Sequence, residues 1–209
     1  MISIITVMGS PRRHGNTEKL LDQFIRGVHE EKRSADIHIE KVILRDLDIQ
    51  PCKGCNACHK AGVCIIQDDA ITFYEKIMAA NVLIFAFPIY TMSVPAEVKA
   101  VIDRAHYIWV RRVKNQLETI SKEYKDSHLA FVFLTAGMSL KNRPDLFDAV
   151  HPTMSALFNN LGYTQRRGIY ADGMDESLGI EGRPELLEQA YQLVQSIVQE
   201  LVPYDTKDT

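Results

Sequence analysis

The chain has 209 residues, of which 46% are hydrophobic, 24% charged and 8% aromatic. That length and balance fit one globular unit and argue against disorder, collagen or coiled coil as the main form. With 24 basic against 27 acidic residues the net charge is -3, so no basic excess recruits nucleic acid or an anionic membrane.

Hydrophobic periodicity alternates between strand and helix types along the chain. Residues 2–8 read as a strand. The opening MISIITVMGS has no charged leader, so it does not read as a secretory signal. A glycine-bearing loop, 9–16, follows, and then Leu20, Leu21, Phe24, Ile25 and Val28 recur at helical spacing. Residues 37–44 form a second, partly polar strand. A cysteine segment interrupts the pattern at about 51–67. Asp68 or Asp69 is placed to cap a helix carrying Ile71, Ile77 and Met78. The third strand, 82–87, is an apolar run as long as any in the chain and far short of the roughly 20 residues a spanning helix needs. A helix from about Pro95 carries Val98, Val101, Ile102 and Ala105. Residues 129–134 form a fourth apolar strand. Leu146 to Leu161 carry a helical stripe, 165–170 a weak polar fifth strand, and Leu186 to Leu201 the last helix. The polar tail beyond Leu201 is expected to fray.

Strands alternating with helices imply a parallel sheet covered on both faces. Strands one, three and four are almost wholly apolar and belong in the centre; strands two and five are mixed and belong at the edges. The order 2-1-3-4-5 satisfies this, which predicts a flavodoxin-like three-layer α/β sandwich with a five-stranded parallel sheet. No segment remains for a sixth strand of the Rossmann order. Residues 1–209 are therefore expected to form one domain with a cysteine-rich insertion at about 51–67. The protein is expected in the cytoplasm.

Three segments carry chemistry. Between the first strand and its helix stands GSPRRHGNT. A helix N-terminus offers free N–H groups to an anion. Ser10, Asn16 and Thr17 add short donors, and Arg12 and Arg13 add charge. The segment lacks the Walker and dinucleotide fingerprints. After the third strand, Pro88, Ile89, Tyr90, Thr91, Met92 and the second proline, Pro95, form a restrained loop that can hold a flat ring. Tyr90 or Met92 could cover the ring's face. The fourth strand ends in Thr135-Ala136-Gly137, which lets a ligand approach backbone closely. One phosphate end and one planar-ring end on the same rim describe flavin mononucleotide (FMN) better than a sugar or a peptide.

All four cysteines lie between Cys52 and Cys64, spaced Cys52-x2-Cys55-x2-Cys58-x5-Cys64. The opening resembles that of cubane-binding ferredoxins. Structural zinc and four unmetallated thiols are the competing readings; a disulfide framework is disfavoured in a reducing compartment. His59 is the one plausible substitute ligand, and its position after Cys58 should turn its side chain elsewhere. Neither G-x-S-x-G nor H-E-x-x-H is present, and no protein residue is expected to be catalytic.

GSPRRHGNT, PCKGCNACHKAGVCIIQDD and PIYTMSVPAEVKAVIDR, in that order, resemble the iron–sulfur flavoprotein family within the NADPH-dependent FMN reductase-like group. The resemblance spans about residues 1–140. It implies a flavodoxin-like fold, FMN and a [4Fe-4S] cluster. Ser10, Arg12, Asn16 and Thr17 would hold the phosphate, and Pro88, Ile89, Tyr90 and Thr91 would line the ring, with Ala136 and Gly137 on its other side. Cys52, Cys55, Cys58 and Cys64 would ligate the cluster. It also implies a homodimer or homotetramer, a small-molecule electron acceptor, and a ferredoxin or NAD(P)H as donor. Asp103-Arg104 matches the end of the family helix and reads as a structural ion pair. Cluster-free reductases and thiol or metal sensors are the alternative functions. Segment 107–127 matches no motif.

Overall fold

The computed structural model describes residues 1–31, 36–114, 120–176 and 178–201. The tail beyond Leu201 and residues 115–119 of segment 107–127 lie outside them.

The elements run β1 (Ile2–Met8), α1 (Asn16–Glu31), β2 (Ile37–Ile43), α2 (Cys58–Ala61), α3 (Ala70–Met78), β3 (Val82–Pro88), α4 (Ala96–Arg104), α5 (His106–Trp109), α6 (Lys122–Asp126), β4 (Leu129–Thr135), α7 (Val150–Leu161), β5 (Thr164–Gln165), β6 (Ile169–Ala171) and α8 (Pro184–Leu201). The sheet order is β2-β1-β3-β4-β5, with β6 also on β4. Every ladder is parallel. This is the flavodoxin-like order expected from strand polarity. The three central strands are buried almost throughout, because helices cover both faces. Ile5, Val7, Leu83 and Phe85 pack towards α3, α4 and α7. Ile4, Met8, Ile84 and Phe133 pack towards α1 and α8. Phe24 of α1 meets Phe133 edge-on, with ring centroids 5.9 Å apart. Among the described residues no helix is long and apolar enough to cross a membrane.

Two expectations need correction, and a third is met by one of its two candidates. The fifth strand is broken into β5 and β6. At Gly168 a Cβ would lie 1.9 Å from the Val132 carbonyl oxygen, so the edge chain crowds β4 there and only glycine fits. Regular helix in the seventh segment begins at Val150, and Leu146 sits in a preceding turn. Asp69 does not cap α3; its carboxylate accepts from Asp48 N–H at 2.7 Å. Asp68 does accept from Ala70 N–H at 3.1 Å, but its main partner is elsewhere.

Candidate functional site

The carboxyl ends of β1, β3 and β4 open into a cleft of about 590 Å³, within the ~300–1,000 Å³ usual for small-molecule sites. One end is the loop from β1 to α1. Ser10 Oγ accepts from Arg12 N–H at 3.2 Å and shapes the turn. Arg13 turns outward to Asp46, with contacts of 3.0 and 3.1 Å, and Arg45 donates to the Pro11 carbonyl at 2.6 Å. Lys19 N–H closes the first helical bond on the Gly15 carbonyl, so the N–H groups that begin α1 are left for a ligand. Arg12 lines the cleft. The Thr17 and Thr135 hydroxyls meet at 2.6 Å and tie this loop to the end of β4.

Glu18 is an acid in α1's first turn, yet it does not repel an anion unopposed. Burial pushes its carboxyl up, but Lys41 at 2.7 Å and the His14 N–H outweigh that and hold the pKa below the usual range. Asn16 has a different task from the one expected of its side chain. Its amide donates to the Met174 carbonyl at 3.2 Å and accepts from Ile180 N–H at 3.1 Å. It therefore straps the segment after β6 against the loop, and its backbone N–H remains for the anion.

The other end is built by the chain leaving β3. Ile89 N–H bonds the Thr135 carbonyl at 2.7 Å. Tyr90 and Ser93 bond each other reciprocally at 3.0 and 2.9 Å around Thr91 and Met92. Both central residues have positive φ, 49° and 62°, the geometry of a type I′ turn. Left-handed backbone at a β-branched threonine is strained, and such strain gathers at functional sites. Tyr90 lines the cleft, whereas Met92 packs on the core and Thr91 is exposed outside the lining. Gly137 faces Asp175 so closely that a Cβ would lie 2.1 Å from its carboxylate.

Nine of the ten expected cofactor residues thus stand around one cleft, and Thr91 does not. Gly15, Thr135, Met174 and Asp175 join them. Met174 and Asp175 carried no signal in the sequence, because β6 brings them in from beyond the recognisable motifs. Open helix N–H groups and an arginine at one end, with backbone and an aromatic ring at the other, fit FMN.

Cys52, Cys55, Cys58 and Cys64 line a separate cavity of about 40 Å³ together with Arg104, His106 and Tyr107. Cys52 and Cys55 are exposed, and Cys58 and Cys64 half-buried. Gly54 and Asn56 take left-handed backbone, and Gly62 closes α2 in the same region, returning the chain to Cys64. Burial, then the charges of Cys64, Cys52 and Cys55, push the Cys58 thiol up against the opposing pull of its own backbone N–H. Four soft sulfurs that feel one another's charge are a donor set that a bound cation relieves, and they fit an iron–sulfur cluster. His59 does not point away as expected. Its Nε2 lies 3.1 Å from His106 Nε2, and ligand atoms of Cys58, His59 and His106 all fall within 4.8 Å of one another.

The cysteine loop is closed at its neck. Asp69 N–H bonds the Asp48 carbonyl at 2.9 Å, and Gln50 N–H bonds Asp68 at 3.0 Å. Arg104 donates to Asp68 at 2.5 and 2.9 Å and to the Gln50 carbonyl at 2.8 Å. Burial raises the Asp68 carboxyl, but Arg104 and the two N–H groups outweigh it and the pKa falls. The expected Asp103–Arg104 ion pair is replaced by two others: Asp103 takes Lys99 at 2.7 Å, and Arg104 takes Asp68. The cleft and the cysteine cavity share no lining residue. Residues 88–90, which precede α4 in the chain, line the cleft, and Arg104, the last residue of α4, lines the cysteine cavity; the nine residues of α4 span about 14 Å.

Residues 2–145 match the NADPH-dependent FMN reductase family. The "Iron-sulfur flavoprotein" of Methanosarcina thermophila is 34% identical over 104 residues, 50% of this chain and 52% of that protein. The "FMN-dependent NADH:quinone oxidoreductase 1" of Trichormus variabilis is 31% identical over 138 residues, 64% of this chain and 60% of that protein. The chain spans about half the length of the curated iron–sulfur relatives it matches. The solved NAD(P)H:quinone oxidoreductase from Methanothermobacter marburgensis has a TM-score of 0.70 at 17% identity, covering 94% of this chain and 96% of that one. That likeness concerns the fold.

Proposed function

The chain belongs to the NADPH-dependent FMN reductase family, and on that premise we propose that it is an FMN-dependent electron-transfer oxidoreductase. In this reading electrons pass from a [4Fe-4S] cluster on Cys52, Cys55, Cys58 and Cys64 to FMN, and on to a small acceptor such as oxygen, peroxide or a quinone. The observation that carries it is the gathering of all four cysteines around one cavity. When bound, the cluster supplies one-electron transfer and FMN supplies two-electron chemistry. The protein's part is positional. Ser10, Arg12, Thr17 and the first N–H groups of α1 hold the phosphate. Pro88, Ile89, Tyr90, Ala136 and Gly137 bound the ring. A ferredoxin or NAD(P)H is the proposed donor.

The likeness to the Trichormus quinone oxidoreductase favours a second reading, a cluster-free NAD(P)H-dependent reductase. The absorption spectrum of anaerobically purified protein separates the two. Flavin bands with broad absorbance near about 400 nm, matched by iron and sulfide, support the first. Flavin alone with fast NADPH oxidation supports the second.

One phosphate-binding turn and no second fingerprint lead us to expect FMN rather than FAD. Mass spectrometry of the released cofactor checks this, and predominant FAD refutes it. Combining Arg12→Ala with Thr17→Ala should weaken FMN binding about 100-fold, the worth of one or two hydrogen bonds to a charged group. Unchanged affinity by flavin fluorescence titration would remove these residues from the phosphate site.

Trp109 is exposed beside a cavity that Cys52 also lines, whereas Val110, expected with it at a contact, is fully buried in the core. We expect this face and the cysteine segment to build a homodimer or homotetramer contact. Sedimentation of a stable monomer at micromolar concentration would rule that out.

A further inference from the structure

We infer that Arg104 is a positioning residue that donates its Nε–H to the sulfur of Cys64 and so raises the reduction potential of the cluster held there. The inference rests on the cluster reading above. Arg104 ends α4 and is 2% exposed. Its two terminal nitrogens are committed to Asp68 and Gln50. Its Nε is buried and has no acceptor, and buried donors without partners are rare enough to need a reason. The bidentate grip of Asp68 fixes the plane of the guanidinium, so Nε–H cannot swing to another partner.

That side chain lines the cysteine cavity with all four thiols. Asp103, the carboxylate in the same lining, is taken by Lys99 at 2.7 and 2.8 Å. Cys64 is the cysteine whose charge acts on Arg104. Burial opposes the guanidinium's charge, and Asp68 and Cys64 together outweigh it. A neutral thiol is a weak acceptor, so Nε–H is matched only when the sulfur carries the negative charge of a metal-bound thiolate. Hydrogen bonds to ligand sulfurs favour the more negative, reduced state of a cluster and are among the factors that set its potential.

Arg104→Lys keeps a cation near Asp68 but has no planar Nε–H to offer. The readout is an anaerobic potentiometric titration of the holoprotein, followed by electron paramagnetic resonance. The cluster midpoint should fall by about 59 mV, a tenfold change for one electron. The FMN midpoint, read in the same titration, should stay in place because Arg104 does not line its cleft. A merely structural role would lower cluster occupancy without moving the midpoint, and an unmoved midpoint overturns the inference. Wild-type protein labelled with 15N-arginine provides a second readout that needs no variant. Its reduced cluster should show a 15N coupling in pulsed resonance spectra. Absence of that coupling overturns the role of Arg104 even if the lysine variant loses its cluster. Wild-type protein without iron and sulfide would instead overturn the cluster reading, and this inference with it.

Discussion

Serine at any one of Cys52, Cys55, Cys58 or Cys64 is expected to strip or convert the cluster while FMN content stays at the wild-type level. A serine hydroxyl holds its proton far more tightly than a thiol and is a harder ligand, so it does not replace a thiolate on iron. The four variants should not be alike. At Cys52, Cys55 and Cys64 no alternative ligand of the right kind stands in the lining beyond the remaining thiols and His106. At Cys58 both His59 and His106 are within ligand reach of the vacated position. Cys58→Ser is therefore the variant expected to retain an altered cluster, and the other three should lose iron. FMN should persist in all four, because its proposed contacts lie on other loops. Iron, sulfide and flavin per chain, measured without oxygen, read all of this. Four variants that keep full iron and full donor-linked activity would exclude the cluster and transfer the weight to the flavin-only reductase.

Strand polarity was enough to order the sheet, because burial on one face or two is written directly into residue type. β1, β3 and β4 are apolar throughout and lie inside; β2 keeps His38 and Glu40 and lies at an edge. The break between β5 and β6 was not legible, since it depends on how near the Val132 carbonyl comes to Gly168. The cleft was legible where its residues belong to loops directly following a strand. Thr135 is legible as a small residue at a strand end, but its bond to Thr17 joins positions 118 apart in sequence. The side-chain task of Asn16 depends on Met174 and Ile180, which no local pattern connects to it. The partner of Arg104 is hidden from the sequence for the same reason. Adjacent Asp103 looked like its partner, and the true partner lies 36 positions away across the cysteine loop.

The buried Arg104–Asp68 pair carries the second large effect. The side chains of Arg104 and Asp68 are 1% and 0% exposed. Asp68→Ala leaves the buried guanidinium without a counter-charge and with only the Gln50 carbonyl as acceptor, and Gln50 N–H loses its own acceptor as well. Breaking one side of a buried pair typically costs ~3–5 kcal/mol, because an uncompensated charge remains out of water. Arg104→Met should cost a similar amount, leaving a carboxylate with only the N–H groups of Gln50 and Ala70. The double variant, Asp68→Asn with Arg104→Met, removes both charges. It should recover most of the loss, since the pair's attraction is largely offset by the desolvation of its two ions. Urea unfolding of the three variants, followed by far-ultraviolet circular dichroism, measures these losses and the recovery. The damage should be local as well as global. Gln50 and Asp68 flank the cysteine segment, so either single variant should unpin the neck of that loop and speed chelation of iron by an added chelator. The double variant should release iron at an intermediate rate, because the amide oxygen that Asp68→Asn introduces can still accept from Gln50 N–H. Single variants that lose less than about 1 kcal/mol, with iron release at the wild-type rate, would show that the pair neither holds the fold nor shuts the loop.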